Sequence, residues 1–478
     1  MTMANGVDPE VGRRIDAVFA AQRARALVLR RSTAQQRIAT LRRFLAVVEA
    51  HRNDICAAAA ADFGKPEPEV DLTELLPVIA ETKHTIRHLE GWMRPHRVSS
   101  TLTMIGTSAE IRYEPRGVTL IVVPWNYPFN LAFCPLVSAI AAGNTSIIKP
   151  SEMTPHCSAL TRRIVEEAFD SPDVAVFEGD ATVAAALLER PFDHVFFTGS
   201  PHVGRIVMAA AAKHLTSVTL ELGGKSPAIV DATADLAKSA RAIVAGKFAN
   251  NGQTCIAPDY LLVHAGIRDA LVAEIRAAIE RAYGPDPGAQ QASPDYCRVV
   301  NQRHYERIRG LFEEAVSKGA KVVYGGVLSE SDRFISPTVL AEVAPDSRIL
   351  EEEIFGPLLP VVSFTDLGDA IAMVNSKPKP LALYVFSRSE SAIDRVLTET
   401  SSGDTCVNQT MIHFAHLNLP FGGVNNSGIG KSHGFFGFTA FSHERSVLRD
   451  RFSVVHWMFP PFTARVRKMI ALTLKWLT

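Results

Sequence analysis

With 478 residues, 47% of them apolar, the chain can fill two or three domains with large cores. Its 50 basic and 50 acidic side chains cancel, and the isoelectric point is near 7.3. That balance speaks against a nucleic-acid partner. The six cysteines, Cys56, Cys134, Cys157, Cys255, Cys297 and Cys406, contain no CxxC pair and make no disulfide framework in so long a chain. A reducing, cytoplasmic compartment and no structural metal are expected. The N-terminal stretch MTMANGVDPEVGRR has no signal-like apolar core, and no run of about 18 apolar residues predicts a spanning helix.

Residues 8–62 read as helices, with apolar positions at helical spacing in IATLRRFLAVVEAHRNDI. A further long helix is expected over 70–95, ending before Pro95. The stretch 101–117 reads as short strands around a Gly turn. From Val118 strands and helices alternate. VTLIVV, TSIIK, VAVFEG, HVFFTG and VTLEL read as strands. Between them fall helices, one ending at Gly143 as C-cap and one that Thr154 is placed to cap. Such alternation predicts a parallel sheet covered on both faces. It resumes after Cys255 through RDALVAEIRAAIERAYG, KVVYGG and DAIAMVN, which suggests a second α/β domain.

Several segments carry candidate chemistry. FANNGQTCIAPDY sets Cys255 among Gly, Asn and Thr, a loop composition suited to an exposed nucleophile or to a packed thiol. VVPWNYPFN holds Asn126 on a stiff loop between Pro124 and Pro128; its amide can donate to an oxyanion or satisfy a turn. IIKPSE carries Lys149, Ser151 and Glu152 at a strand end, a ribose site or a solvated loop. In FFTGSPHVGRIV, Gly199 and Gly204 let backbone approach a phosphate at a helix N-terminus, although alone this is a tight strand-to-helix turn. VTLELGGKSP ends an apolar strand in Glu221, whose burial favours a raised pKa and a general-base role, or else a structural ion pair. A nucleophile, a base, an oxyanion donor and a nucleotide site form a set that chance does not readily supply.

Together PWNYP (124–128), KPSE (149–152), FTGS (197–200), ELGGKSP (221–227), GQTC (252–255), EEIFGP (352–357) and LPFGGVNNSGIG (419–430) resemble the NAD(P)-dependent aldehyde dehydrogenase superfamily. The short region before PWNYP, the GQTCIAPDY segment and the C-terminal HGFFGFTAFSHERSVL resemble its class 3 branch, which includes fatty and coniferyl aldehyde dehydrogenases. The resemblance implies an α/β fold: a Rossmann-like NAD(P)-binding domain (1–98 and 117–222), an α/β catalytic domain (223–418) and a small β bridging element for oligomerisation (99–116 and 419–450). It implies a homodimer. Cys255 would be the nucleophile, Asn126 and the Cys255 amide the oxyanion hole, and Glu221 the base for the deacylating water. Lys149 and Glu152 would hold the adenosine ribose, and Glu353 the nicotinamide ribose with Phe355 packed nearby. Trp125, Ser151, Gly199, Ser200, Gly204 and Leu222 would complete the cofactor site, and Tyr127 would line the substrate tunnel.

The implied reaction oxidises a medium- or long-chain aliphatic or an aromatic aldehyde to its acid through a thiohemiacetal and a thioester on Cys255. NAD is the expected cofactor, because Glu152 repels a 2′-phosphate; Lys149 softens that preference toward NADP. A thiol hydrolase would need a His partner that no motif supplies. A CoA-acylating enzyme would usually lack the base that Glu221 provides.

The tail 451–478 ends in an amphipathic stretch with Val466, Ile470, Leu474 and Leu477 on one side and Arg465, Lys468 and Lys475 elsewhere. With Trp457 and Trp476 it suits an anionic membrane surface, or a face of its own subunit or dimer mate.

Overall fold

The computed structural model describes residues 6–477. Met1–Asn5, part of the N-terminal stretch without a signal-like core, and the Leu477 side chain of the tail's expected apolar face lie outside the described residues.

Helices Pro9–Leu29, Ala34–Ala50 and Arg52–Phe63 open the chain. Thr33 and Gln36 form a capping box at the second, and left-handed Gly64 ends the third. The long helix expected over 70–95 is interrupted. Residues Asp71–Leu75 form a π turn, and a regular helix then runs over Leu76–Trp92. The Glu74 side chain is fully buried: it receives the amides of Phe129 (3.2 Å) and Asn130 (2.9 Å) and pairs with Lys65 at 3.1 Å.

The first sheet has six strands in the order Gly428–Ile429, Ser217–Leu222, His194–Gly199, Val118–Val122, Thr145–Lys149, Val174–Val176. Only Gly428–Ile429 runs antiparallel. Its central strands are near-continuous apolar runs because helices cover both faces. The helix Pro155–Ala168 follows Thr154, but the Thr154 hydroxyl makes no cap. Asp62 takes the amides of His156 (3.2 Å) and Cys157 (2.9 Å) instead.

The second sheet orders seven strands as Lys321–Tyr324, Thr338–Ala341, Leu358–Phe364, Tyr260–His264, Pro227–Val230, Ala382–Phe386, Asp404–Val407. All pair in parallel except the first. Two cores line its faces.

A third sheet joins His96–Val98, Thr107–Pro115 and Ser442–Asp450, all antiparallel. In the 101–117 stretch, Leu102–Met104 is a 3-10 turn and Thr107–Pro115 a single long strand, not several short ones. His96–Val98 lies N-terminal of the boundary expected for this element. Beyond it, the tail helix Ala464–Leu477 meets chiefly the turn Val455–Met458. Val466, Met469, Ile470 and Thr473 are its half-buried face, whereas Leu474, expected on that side, is exposed.

Candidate active site

The four central strands of the first sheet run parallel, so their C-terminal ends share one edge. Pro124–Asn126, Lys149–Glu152, Gly199–Ser200 and Glu221–Gly224 all follow those ends, where α/β sheets bind ligands. The second sheet brings Cys255 and Glu353 to the same place.

Cys255 follows three successive residues in left-handed conformation, Asn250, Asn251 and Gly252. Gly252 is required there, since a Cβ would overlap the Gly356 carbonyl. The loop is fastened by amide side chains. Asn250 Nδ2 donates to the carbonyls of Asn126 (3.0 Å) and Gln253 (3.1 Å), and Asn126 Nδ2 donates to the Gln253 carbonyl at 3.0 Å. Gln253 reaches on to Arg298 and Val300. An Asn amide carries two N–H donors, so one remains for a ligand at Asn126. Desolvation pushes the Cys255 thiol up to about 12, with Glu353 and Glu221 adding to the rise and the amides of Cys255 and Ile256 opposing it. An unaided thiol there stays protonated at neutral pH.

Glu221 ends its strand beside the antiparallel pair Gly428–Ile429. Its Oε1 accepts from Ser432 Oγ at 3.0 Å, and Oε2 is buried without a partner among the described residues. Burial raises its pKa to about 8. Glu353 is likewise raised to about 8, by desolvation first and then by Asp259. It lies against Gly223, where any Cβ would collide with its carboxylate.

A cleft of about 670 Å³ runs between the two sheets. Trp125, Gly199, Ser200, Leu222, Glu353 and Phe355 line it, with Cys255, Glu221 and Asn126 at its inner end. Trp125 and Phe355 meet edge to face at 5.4 Å. Ser200 caps the helix Pro201–Ala212, which opens toward the cleft. The donor set fits a dinucleotide. It offers a helix N-terminus for phosphate, an aromatic wall, and carboxylate and hydroxyl atoms at Glu353 Oε1 and Thr198 Oγ1 that are buried without partners.

A second, smaller cavity of about 40 Å³ also meets Cys255. Leu131, Phe196, Leu381, Phe414 and Phe421 give it an apolar wall, and Glu221 and Ser432 face it as well.

Not every candidate reaches these spaces. Tyr127 lines neither; it is buried with its hydroxyl 2.6 Å from Thr254 Oγ1 and its ring under the Lys65 ammonium at 3.9 Å. It positions the cysteine loop from below. Lys149 and Glu152 pair with each other at 2.7 Å, further along the sheet edge. Ser151 caps its own turn through the Met153 amide, and Gly204 packs on Leu222. Ser432, Thr198 and Glu74 escaped the sequence reading. Each is an ordinary polar residue that the fold, not the local sequence, brings to its place; Ser432 and Glu221 lie 211 positions apart.

The aldehyde dehydrogenase family model matches residues 9–447. A putative aldehyde dehydrogenase, AldX, of Bacillus subtilis is 47% identical over 91% of this chain and 97% of its own length. The 4,4'-diaponeurosporen-aldehyde dehydrogenase of Staphylococcus aureus is 43% identical over 85% of this chain and 88% of its own. A solved structure described as the substrate-bound state of Staphylococcus aureus AldH superimposes with a TM-score of 0.91 at 40% identity, over 96% of this chain and 99% of that one. The chain therefore belongs to the aldehyde dehydrogenase family, whose members couple aldehyde oxidation to NAD(P).

Proposed function

We propose that this enzyme oxidises medium- or long-chain aliphatic or aromatic aldehydes to carboxylic acids through a covalent adduct on Cys255. One observation carries the reading: Cys255 and Glu221 face both the open cleft, which fits a dinucleotide, and a small cavity of about 40 Å³, which fits the hydrolytic water. The reacting carbon thus sits between its two co-reactants.

Glu221, whose pKa burial raises to about 8, takes the thiol proton in its ionised form and frees the thiolate for attack on the aldehyde carbon. The new oxyanion is met by the free N–H of Asn126 and the Cys255 amide; each such donor is worth about 100- to 1,000-fold in rate. The bound nicotinamide supplies the acceptor for the hydride leaving that carbon. Once it has passed the thiol proton on to solvent, Glu221 deprotonates the water that attacks the thioester, and the sulfur is released. Ser432 holds Glu221 in place for both steps. Glu353 and Phe355 would hold the nicotinamide half, and Lys149 and Glu152 the adenosine ribose, with Ser151, Gly204 and Leu222 supporting them.

The Lys149–Glu152 pair supports NAD, with NADP also accepted: Glu152 repels a 2′-phosphate and Lys149 attracts it. A rat relative described as dimeric and NADP-preferring, 43% identical over 87% of this chain, supports that breadth and a homodimer. On this reading 1–98 and 117–222 bind the cofactor, 223–418 carry the thiol, and 99–116 with 419–450 form the bridging element. Among the described residues no helix is long and apolar enough to cross a membrane. The exposed Trp457 and Trp476 and the basic tail helix support contact with an anionic surface.

The test is reduced nicotinamide formed from NAD and a panel of fatty and aromatic aldehydes, with Cys255→Ala alongside. Turnover that vanishes in the variant is expected. Turnover by neither protein, or by both equally, would defeat the proposal.

A further inference from the structure

One buried acid beside the site has no part in the chemistry above. Glu81, on the helix Leu76–Trp92, is 1% exposed and faces the same small cavity as Cys255, Glu221 and Ser432. Its Oε1 accepts the Gly434 amide at 2.9 Å, and among the described residues it makes no ion pair. A single short turn spans both acids: Ser432 Oγ donates to Glu221, and Gly434 N donates to Glu81 two residues later. The cavity's 40 Å³ holds about two waters. The buried, unpartnered Glu221 Oε2 is a natural acceptor for one of them.

From Glu81 a path leads outward. His84 and His88 follow on the same helix at spacings that stack side chains on one face. Both are half-buried, their rings lie 4.3 Å apart, and His84 Nε2 sits against Gly434, whose amide Glu81 accepts. We propose that Glu81 and His84 form the exit for the proton that Glu221 collects during deacylation, with the water-sized cavity as the first step. The inference rests on the aldehyde dehydrogenase reading of the site.

The balance requires such an exit. Thioester hydrolysis forms a C–O bond from water, breaks the C–S bond and returns a protonated thiol. The ionised acid product leaves one proton over. That proton begins on Glu221, passes to cavity water, and a water proton passes to the Glu81 carboxylate. Glu81 then yields it to the His84 imidazole and so to solvent. The other way out is the cleft, the space the dinucleotide takes up. Burial holds Glu81 near 7 and Glu221 near 8, so transfer between them is close to isoenergetic. Around Glu81 lie Cys134, Glu74 with its Lys65 partner, His433, and His84 on its own helix; the Lys83–Glu49 pair toward Ala34–Ala50 is at the surface.

Glu81→Gln keeps the side chain's size and removes the acceptor. Rapid mixing should show a burst of reduced nicotinamide at the wild-type rate, near one per Cys255, then a steady state slowed about 10- to 100-fold. His84→Ala should show a smaller loss of the same kind, restored by added imidazole. Burst and steady state that fall together would mark a structural role, and a steady state within about twofold of wild type would mark no role; either overturns the relay. If Glu81→Gln does not fold, the His84→Ala result decides: rescue by imidazole upholds the exit and its absence ends it. These outcomes require a wild type that oxidises aldehydes. A wild type that oxidises none overturns the underlying reading, and the relay with it.

Discussion

Glu221 concentrates the residue-scale argument. Its carboxyl is raised from 4.5 to about 8 because burial removes water, the Ser432 hydroxyl compensates only in part, and Asp404 adds to the rise against Lys431. The ionised form is the base, so deacylation should climb with pH up to about 8 and level off above. Stability should move the opposite way. The folded state holds this proton more tightly than the unfolded chain does. The contribution is complete below about 4.5 and is lost as pH rises through about 8. Glu221→Gln should therefore gain in melting temperature over wild type as pH rises from 5 to 8, with no further gain above, while losing turnover throughout. Thermal melts of both proteins across that range check it. Much at this scale was legible in the sequence. A carboxylate closing an apolar strand and a cysteine in a Gly- and Asn-rich loop are local anomalies, and Asn126 is marked by its flanking prolines. Ser432 and Glu74 are not anomalies; they matter only through partners that the fold delivers. Tyr127, whose hydroxyl meets Thr254, shows that a motif fixes a residue's neighbourhood but not the direction of its side chain.

Local signals placed most elements and failed where capping or turns depend on distant residues. Thr154 stands where a helix cap belongs, yet the cap comes from Asp62 on another helix, 95 positions from the Cys157 amide it accepts. Asp62→Ala should cost about 2 kcal/mol, because it strips two helix-end amides of their acceptor and leaves that of Cys157 buried. Thr154→Val should change stability by no more than about 0.5 kcal/mol, since the hydroxyl has no partner to lose. Denaturant melts of the two variants separate the cases. The helix expected over 70–95 was broken for a similar reason. The π turn at Asp71–Leu75 directs Glu74 inward to hold the start of the helix Asn130–Ala142, just after the Asn126 loop. No apolar period announces that demand.

At the scale of the whole molecule, two parallel sheets were legible as alternating strands and helices, whereas the third sheet was only partly so. Its two outer strands are largely exposed and its pairing joins residues 107–115 to 442–450, a match no local pattern encodes. The tail lies beyond this sheet and meets little of the body. Removing residues 459–478 should leave aldehyde turnover within about twofold, because no part of the cleft is lost. The same removal should abolish sedimentation with anionic vesicles at low salt; equal sedimentation of both forms would disprove a membrane role for the tail. The late pairing also bears on biosynthesis. Chains fold from the N-terminus as they emerge, so the thiol is in place well before Gly428 pairs with Glu221 and Ser432 fixes it. A chain stalled or clipped before those residues would carry a nucleophile without an arranged base. Its cysteine would stay a protonated thiol, so for the cell an unfinished copy is a silent protein rather than a reactive one.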